Sequence, residues 1–118
     1  MEHIIQKIRK ELTREEIAYC YYSLISSVNQ LGLRKKEIQL LTFTAIRGGI
    51  TNPAAKKDFC EKYDSCFGTI NNIIGRLTKL GIFVKKGNKI SIAPALSLDF
   101  NKNIVIQLCL MINPPPSI

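Results

Sequence analysis

The clearest apolar pattern in the chain is carried by Cys66, Ile70, Ile73, Ile74, Leu77 and Leu80, which recur at steps of three and four. At about 100° per residue these positions form one stripe, so the pattern predicts a helix that buries it. Asp64 or Ser65 stands where a cap can accept from free amide groups, and Gly81 where glycine ends a helix in the left-handed conformation. Beyond Gly81 the period shortens from 3.6 to 2. Ile82 and Val84, then Ile90 and Ile92, are expected to face inward across a Lys86-Gly87-Asn88 turn, which makes a β-hairpin.

Upstream, Ile4, Ile5, Ile8 and Leu12 lie on one side of residues 1–12, with Lys7, Arg9, Lys10 and Glu11 mostly on the other, which predicts a short amphipathic helix. Thr13-Arg14-Glu15-Glu16 has the spacing of a capping box and should open a longer helix. Ile17, Tyr21, Leu24, Ile25, Val28 and Leu31 carry its period until Gly32. Tyr19, Cys20, Tyr21 and Tyr22 add apolar surface beyond one face, so residues 1–32 are expected to form a helical arm with an oligomer contact. Residues 34–47 predict the next helix, with Ile38, Leu41, Ala45 and Ile46 inward and Gly48-Gly49 as its stop. Thr51-Asn52-Pro53 then supplies a cap and a proline at the first helical position, opening a short helix to Tyr63 with Ala55, Phe59 and Tyr63 inward. So little chain separates it from the central helix that the two should form a helix-turn-helix.

After Pro94, Leu96, Leu98 and Phe100 alternate with small or polar residues, and Asn101-Lys102-Asn103 makes a turn. Residues 104–112, from Ile104 to Ile112, are apolar except at Gln107 and Cys109, so a second hairpin is expected. Its last strand is apolar on both faces and needs cover on both. The proline run that starts at Pro114 ends it.

Read together, residues 33–95 run helix, short helix, tight turn, longer helix, hairpin. The Ile38-x-x-Leu41 helix, the Gly48-Gly49 stop, the Ser65-x-x-x-Thr69-Ile70 opening and Ile74-x-x-Leu77-x-x-Leu80-Gly81-Ile82-Phe83 resemble the winged helix-turn-helix superfamily. MarR-like regulators and the replication organisers of phages and plasmids are the members it is most similar to. The resemblance covers about half the chain and implies an α+β, mainly α fold: a winged helix-turn-helix with an N-terminal helical arm and a C-terminal β-hairpin over residues 96–118. These are signals of packing and capping, so they speak to fold before function.

Charge sharpens the picture. The chain of 118 residues, sized for one domain, has 17 basic and 9 acidic residues, a net charge of +8 and a pI near 9.5. Much of the excess lies in the helix-turn-helix stretch, at Arg34, Lys35, Lys36, Lys56, Lys57, Arg76, Lys79, Lys85, Lys86 and Lys89. In the fold that the resemblance implies, these flank the reading helix and reach phosphates on either side of a major groove. On the outward side of that helix stand Ser65, Gly68, Asn72, Gly75, Arg76 and Lys79, with Asn71 beside them. Asparagine pairs with adenine edges, while Arg76 or Lys79 could hold guanine or phosphate. The DNA-binding residues expected are Lys56, Lys57, Ser65, Asn71, Asn72, Arg76, Lys79, Lys85, Lys86 and Lys89.

The remaining chemistry is mostly exclusion. His3 is the lone histidine, and Cys20, Cys60, Cys66 and Cys109 lack zinc-knuckle spacing, so no metal site is expected and Cys20, Cys60 and Cys66 are read as small hydrophobes on helix faces. With no nucleophile and base pair, no phosphate-cradling loop and no His-Glu-x-x-His, neither an enzyme nor a cofactor is expected. The longest apolar run falls short of the roughly 20 residues that span a bilayer, and the N-terminus does not read as a signal peptide, so a cytoplasmic protein with no membrane contact is expected. The function expected is a small winged-helix protein that binds double-stranded DNA, a transcriptional regulator or replication accessory, associating with itself or a protein partner through the N-terminal helix and residues 104–112. The alternative is a phage virion or assembly protein that uses the same fold for protein contact.

Overall fold

The described residues form four α-helices and one β-hairpin. The structure, a computed structural model, describes residues 4–6 and 8–114. Helix α1 (Arg14–Val28) opens at the expected capping box: Thr13 Oγ1 accepts from the Glu16 amide at 3.2 Å, and Glu16 Oε1 accepts from the Thr13 amide at 3.1 Å. The Thr13 amide, and after it the Thr13 side chain, favour the charged carboxylate and hold the Glu16 pKa below its ordinary value. The helix ends before Gly32, because Gln30 turns into the left-handed region and Ser26 Oγ accepts from the Leu33 amide at 3.0 Å.

Helix α1 is no arm. Ala18, Tyr22 and Ser26 are buried along α2 (Lys35–Arg47), so residues 14–28 form one wall of the core. Nor do residues 4–6 and 8–12 continue it as the short helix expected for 1–12; there is no helix there, and Ile4, Ile5 and Ile8 are exposed. A segment that short is not stable as a helix without a surface to pack on. Met1, Glu2, His3 and Lys7 lie outside the described residues.

Helix α2 buries Ile38, Leu40 and Leu41 and ends at Gly48, whose φ of 95° suits glycine. Leu40 is fully buried, whereas Ala45 and Ile46, expected inward, are half-buried. Asn52 Oδ1 then accepts from the Ala54 amide at 2.8 Å and opens α3 (Pro53–Tyr63), with Ala55 and Phe59 in the core. Asp64, expected to cap the central helix, instead closes α3 in the left-handed conformation. The central helix, α4 (Phe67–Lys79), starts from Cys66 with no side-chain cap. Its buried stripe is Ile70, Ile73, Ile74 and Leu77; Cys66 and Leu80, the two ends of the predicted pattern, are exposed.

The hairpin pairs β1 (Phe83–Lys86) with β2 (Lys89–Ile92), Phe83 opposite Ile92 and Lys85 opposite Ile90. Partners across an antiparallel ladder share a face, so Phe83, not the expected Val84, lies on the side of Ile90 and Ile92. The shift arises because Ile82 still belongs to the helix end: its amide donates to Leu77 O and its carbonyl accepts from Ala93, so alternation starts one residue later. The Ile90 amide donates to Thr51 Oγ1 at 2.9 Å, fastening β2 to the α2–α3 loop.

The second hairpin does not form. Pro94–Leu96 is a single 3-10 turn, and residues 97–114 contain no strand. Leu96 and Phe100 are used elsewhere: Tyr22 Oη donates to Leu96 O at 3.1 Å, and the buried Phe100 ring lies 6.1 Å from Tyr22 and 6.2 Å from Tyr21. Burial, with Tyr21 beside it, raises the Tyr22 pKa. With 96–100 pinned to α1, residues 104–112 have no strand to pair with inside the chain. Ile104 touches the core, but Val105, Leu108, Leu110, Met111 and Ile112 are exposed. No helix among the described residues is long and apolar enough to cross a membrane.

Candidate nucleic-acid interface

The site is built on α4. Its apolar stripe packs toward α2, α3 and β1, which turns Gly68, Asn71, Asn72, Gly75 and Lys79 to the outside. Both glycines are exposed, and a Cβ at Gly75 would meet nothing within 4 Å. The Asn72 side chain is exposed and makes no hydrogen bond among the described residues, which leaves its carboxamide open to a partner.

Two neighbours tie this face to the rest of the fold. Lys56 on α3 donates to Asn71 Oδ1 at 3.2 Å, which brings a lysine beside the first half of α4. Arg76, expected to touch DNA, points the other way: its guanidinium is ion-paired with Glu37, and Nη2 lies 3.4 Å from Gly32 O. Glu37 is buried and also accepts from the Arg34 amide at 2.7 Å. Arg76 therefore clamps α4 to the start of α2, and its charge is already matched. Ser65, likewise expected at the interface, has its hydroxyl buried without a partner, so it is not displayed there.

Lys57, Lys79, Lys85, Lys86 and Lys89 are exposed, and none pairs with a carboxylate among the described residues. The lysines of the hairpin follow the C-terminal end of α4, and Lys56 and Lys57 stand on the helix before it. Acidic Glu61 and Asp64 are also exposed near the α3–α4 turn, where they would repel phosphate. Phe67, the first residue of α4, is 45% exposed. The apolar period gave no reason to single it out, because an aromatic at a helix start reads equally well as core.

Of the three cysteines read as small hydrophobes, Cys60 packs against the core as expected, whereas Cys20 and Cys66 do not. Cys20, Cys66 and Cys109 are exposed and Cys60 is half-buried. Cys66 Sγ lies 3.3 Å from Thr69 Oγ1, and hydrogen bonds from the Thr69 side chain, then from its backbone, hold the thiol below its ordinary pKa. No cluster of metal-ligating side chains occurs among the described residues. A cleft of about 260 Å³ between α1, α2 and α3 is lined by Thr42, Phe43, Ile46 and Tyr63, with charged groups at Glu15, Arg47 and Lys62. None of the residues expected to bind DNA lines it. Compared with protein-family models, curated proteins and solved structures, the chain matches none.

Proposed function

We propose that this chain is a winged helix-turn-helix protein that binds double-stranded DNA, with α3 and α4 as the helix-turn-helix, α4 in the major groove and the β1–β2 hairpin as the wing. The observation that carries the reading is the outward face of α4. It offers an open carboxamide at Asn72 and is accompanied by Lys56 and Lys57 on one neighbour and by Lys85, Lys86 and Lys89 on the other. A reading helix needs a polar face to meet base edges and cations on its flanks to meet phosphates. A regulator or replication accessory that works as a dimer is the role this fits.

Of the residues expected to bind DNA, Lys57, Lys79, Lys85, Lys86 and Lys89 are exposed and pair with no carboxylate among the described residues, so they are free to meet phosphate. If about five phosphates are neutralised per subunit, log K falls against log salt with a slope of about −4 to −5 on duplex DNA. Replacing Lys85, Lys86 and Lys89 together by Glu weakens binding to every sequence and flattens that slope by about 3. Absence of a mobility shift at micromolar protein and low salt defeats the DNA reading.

A second reading has its own observation. Val105, at 92% exposed, and Met111, at 83%, belong to a run of apolar side chains, with Leu108, Leu110 and Ile112, that nothing among the described residues covers. An uncovered segment of this kind suits contact with another protein, as in a virion or other assembly. The two readings are compatible, since the segment and the α4 face are different parts of the chain.

A further inference from the structure

In the major groove guanine shows two acceptors, N7 and O6, which suit the paired donors of arginine or a lysine ammonium. Adenine shows an acceptor and a donor, N7 and N6, which suit a carboxamide, and thymine shows a methyl group. The outward side of α4 can be inventoried against these edges. Its guanidinium, Arg76, is committed to Glu37 and to Gly32 O. Its ammonium, Lys79, is the last residue of the helix, about 10 Å along the axis from Asn72, where a backbone phosphate is the nearer kind of partner. Asn72 keeps both its donor and its acceptor. Asn71 has its oxygen engaged by Lys56 and its NH2 free. Phe67 offers an exposed apolar ring one turn before Asn71.

We propose that the α4 face selects adenine–thymine pairs, Asn72 reading an adenine edge and Phe67 contacting a thymine methyl, with no side chain on the helix assigned to guanine. The proposal rests on the duplex-DNA reading above and adds to it the class of base that is read.

The experiment uses the full chain and a pool of fluorescein-labelled duplexes randomised over the central positions. Bound duplexes are selected, and the winner is measured by fluorescence anisotropy beside three groups of altered probes: each A·T pair changed singly to G·C, each thymine changed to uracil, and a scrambled duplex. The selected motif is expected to be anchored by A·T pairs. One A·T to G·C change should weaken binding by about 5- to 150-fold for the wild type and by less than about twofold for Asn72→Ala. Removing one thymine methyl should weaken the wild type about fourfold and leave Phe67→Ala unaffected.

Asn72 is exposed, so its variant reports on recognition and not on folding; circular dichroism checks that Phe67→Ala keeps its helices. A motif anchored by G·C pairs, equal affinity for the selected and scrambled duplexes, or an Asn72→Ala protein that discriminates as well as the wild type overturns the base assignment while duplex binding stands. No binding to any duplex overturns both.

Discussion

Removing the Arg76 side chain separates an internal role from a DNA-contacting one. Glu37 is 5% exposed at the side chain and Arg76 39%, so Arg76→Ala leaves a carboxylate inside the fold with the Arg34 amide as its remaining donor. Breaking a buried ion pair from one side costs about 3–5 kcal/mol, but surface pairs are worth only about 0–1. The guanidinium here is partly solvated and water can enter the space it vacates, so a loss of about 2 kcal/mol is expected, intermediate between those limits. For a domain of this size that is a fall in Tm of roughly 8 °C. Adding Glu37→Gln removes the stranded charge and should recover about half the loss. Urea unfolding followed by circular dichroism measures both steps, and salt titration of duplex binding should show a slope unchanged from wild type. If Arg76→Ala stays within about 0.5 kcal/mol of wild type, or if it flattens the salt slope by about one, the clamp assignment is wrong and Arg76 meets phosphate after all.

Gly75→Ala should stabilise the fold by about 1 kcal/mol, since the position is helical and open, and a gain in urea midpoint accompanied by weaker duplex binding would show that a partner approaches the bare backbone there. Glu16→Gln removes a carboxylate whose folded pKa lies below its ordinary value, so the wild type should lead in stability at neutral pH and lose that lead as pH falls through the folded pKa; parallel stability curves for the two proteins between pH 7 and pH 2 would contradict the capping argument. Removing residues 105–118 keeps Phe100 and Ile104, so Tm should change by less than about 4 °C, whereas sedimentation should show that self-association is lost. A full-length chain that sediments as a monomer at high concentration would refute that.

The short-range rules were sufficient where the partner of each group lies a few residues away. The Thr13 capping box, the Asn52-Pro53 opening, the Gly48 and Gly81 stops and the Ile70, Ile73, Ile74, Leu77 stripe all depend on contacts within a turn or two, and each stands as the residues indicated. Where two local rules competed, order along the chain did not arbitrate: Asp64 could start one helix or end another, and closing α3 prevailed.

Long-range partners were decided only by the folded chain. Nothing near Arg76 in sequence points to Glu37, 39 positions earlier, so a free cation and a buried clamp read alike until both ends are brought together. The same holds at the C-terminus, where alternation at Leu96, Leu98 and Phe100 promised a strand. Alternation specifies which side chains share a face but not which backbone lies alongside. Tyr22 and the aromatic cluster around Phe100 claimed that stretch, and residues 104–112 were left apolar and unpaired. Local hydrogen bonding is written in neighbouring residues; the choice of a distant partner depends on which surfaces the finished core leaves free.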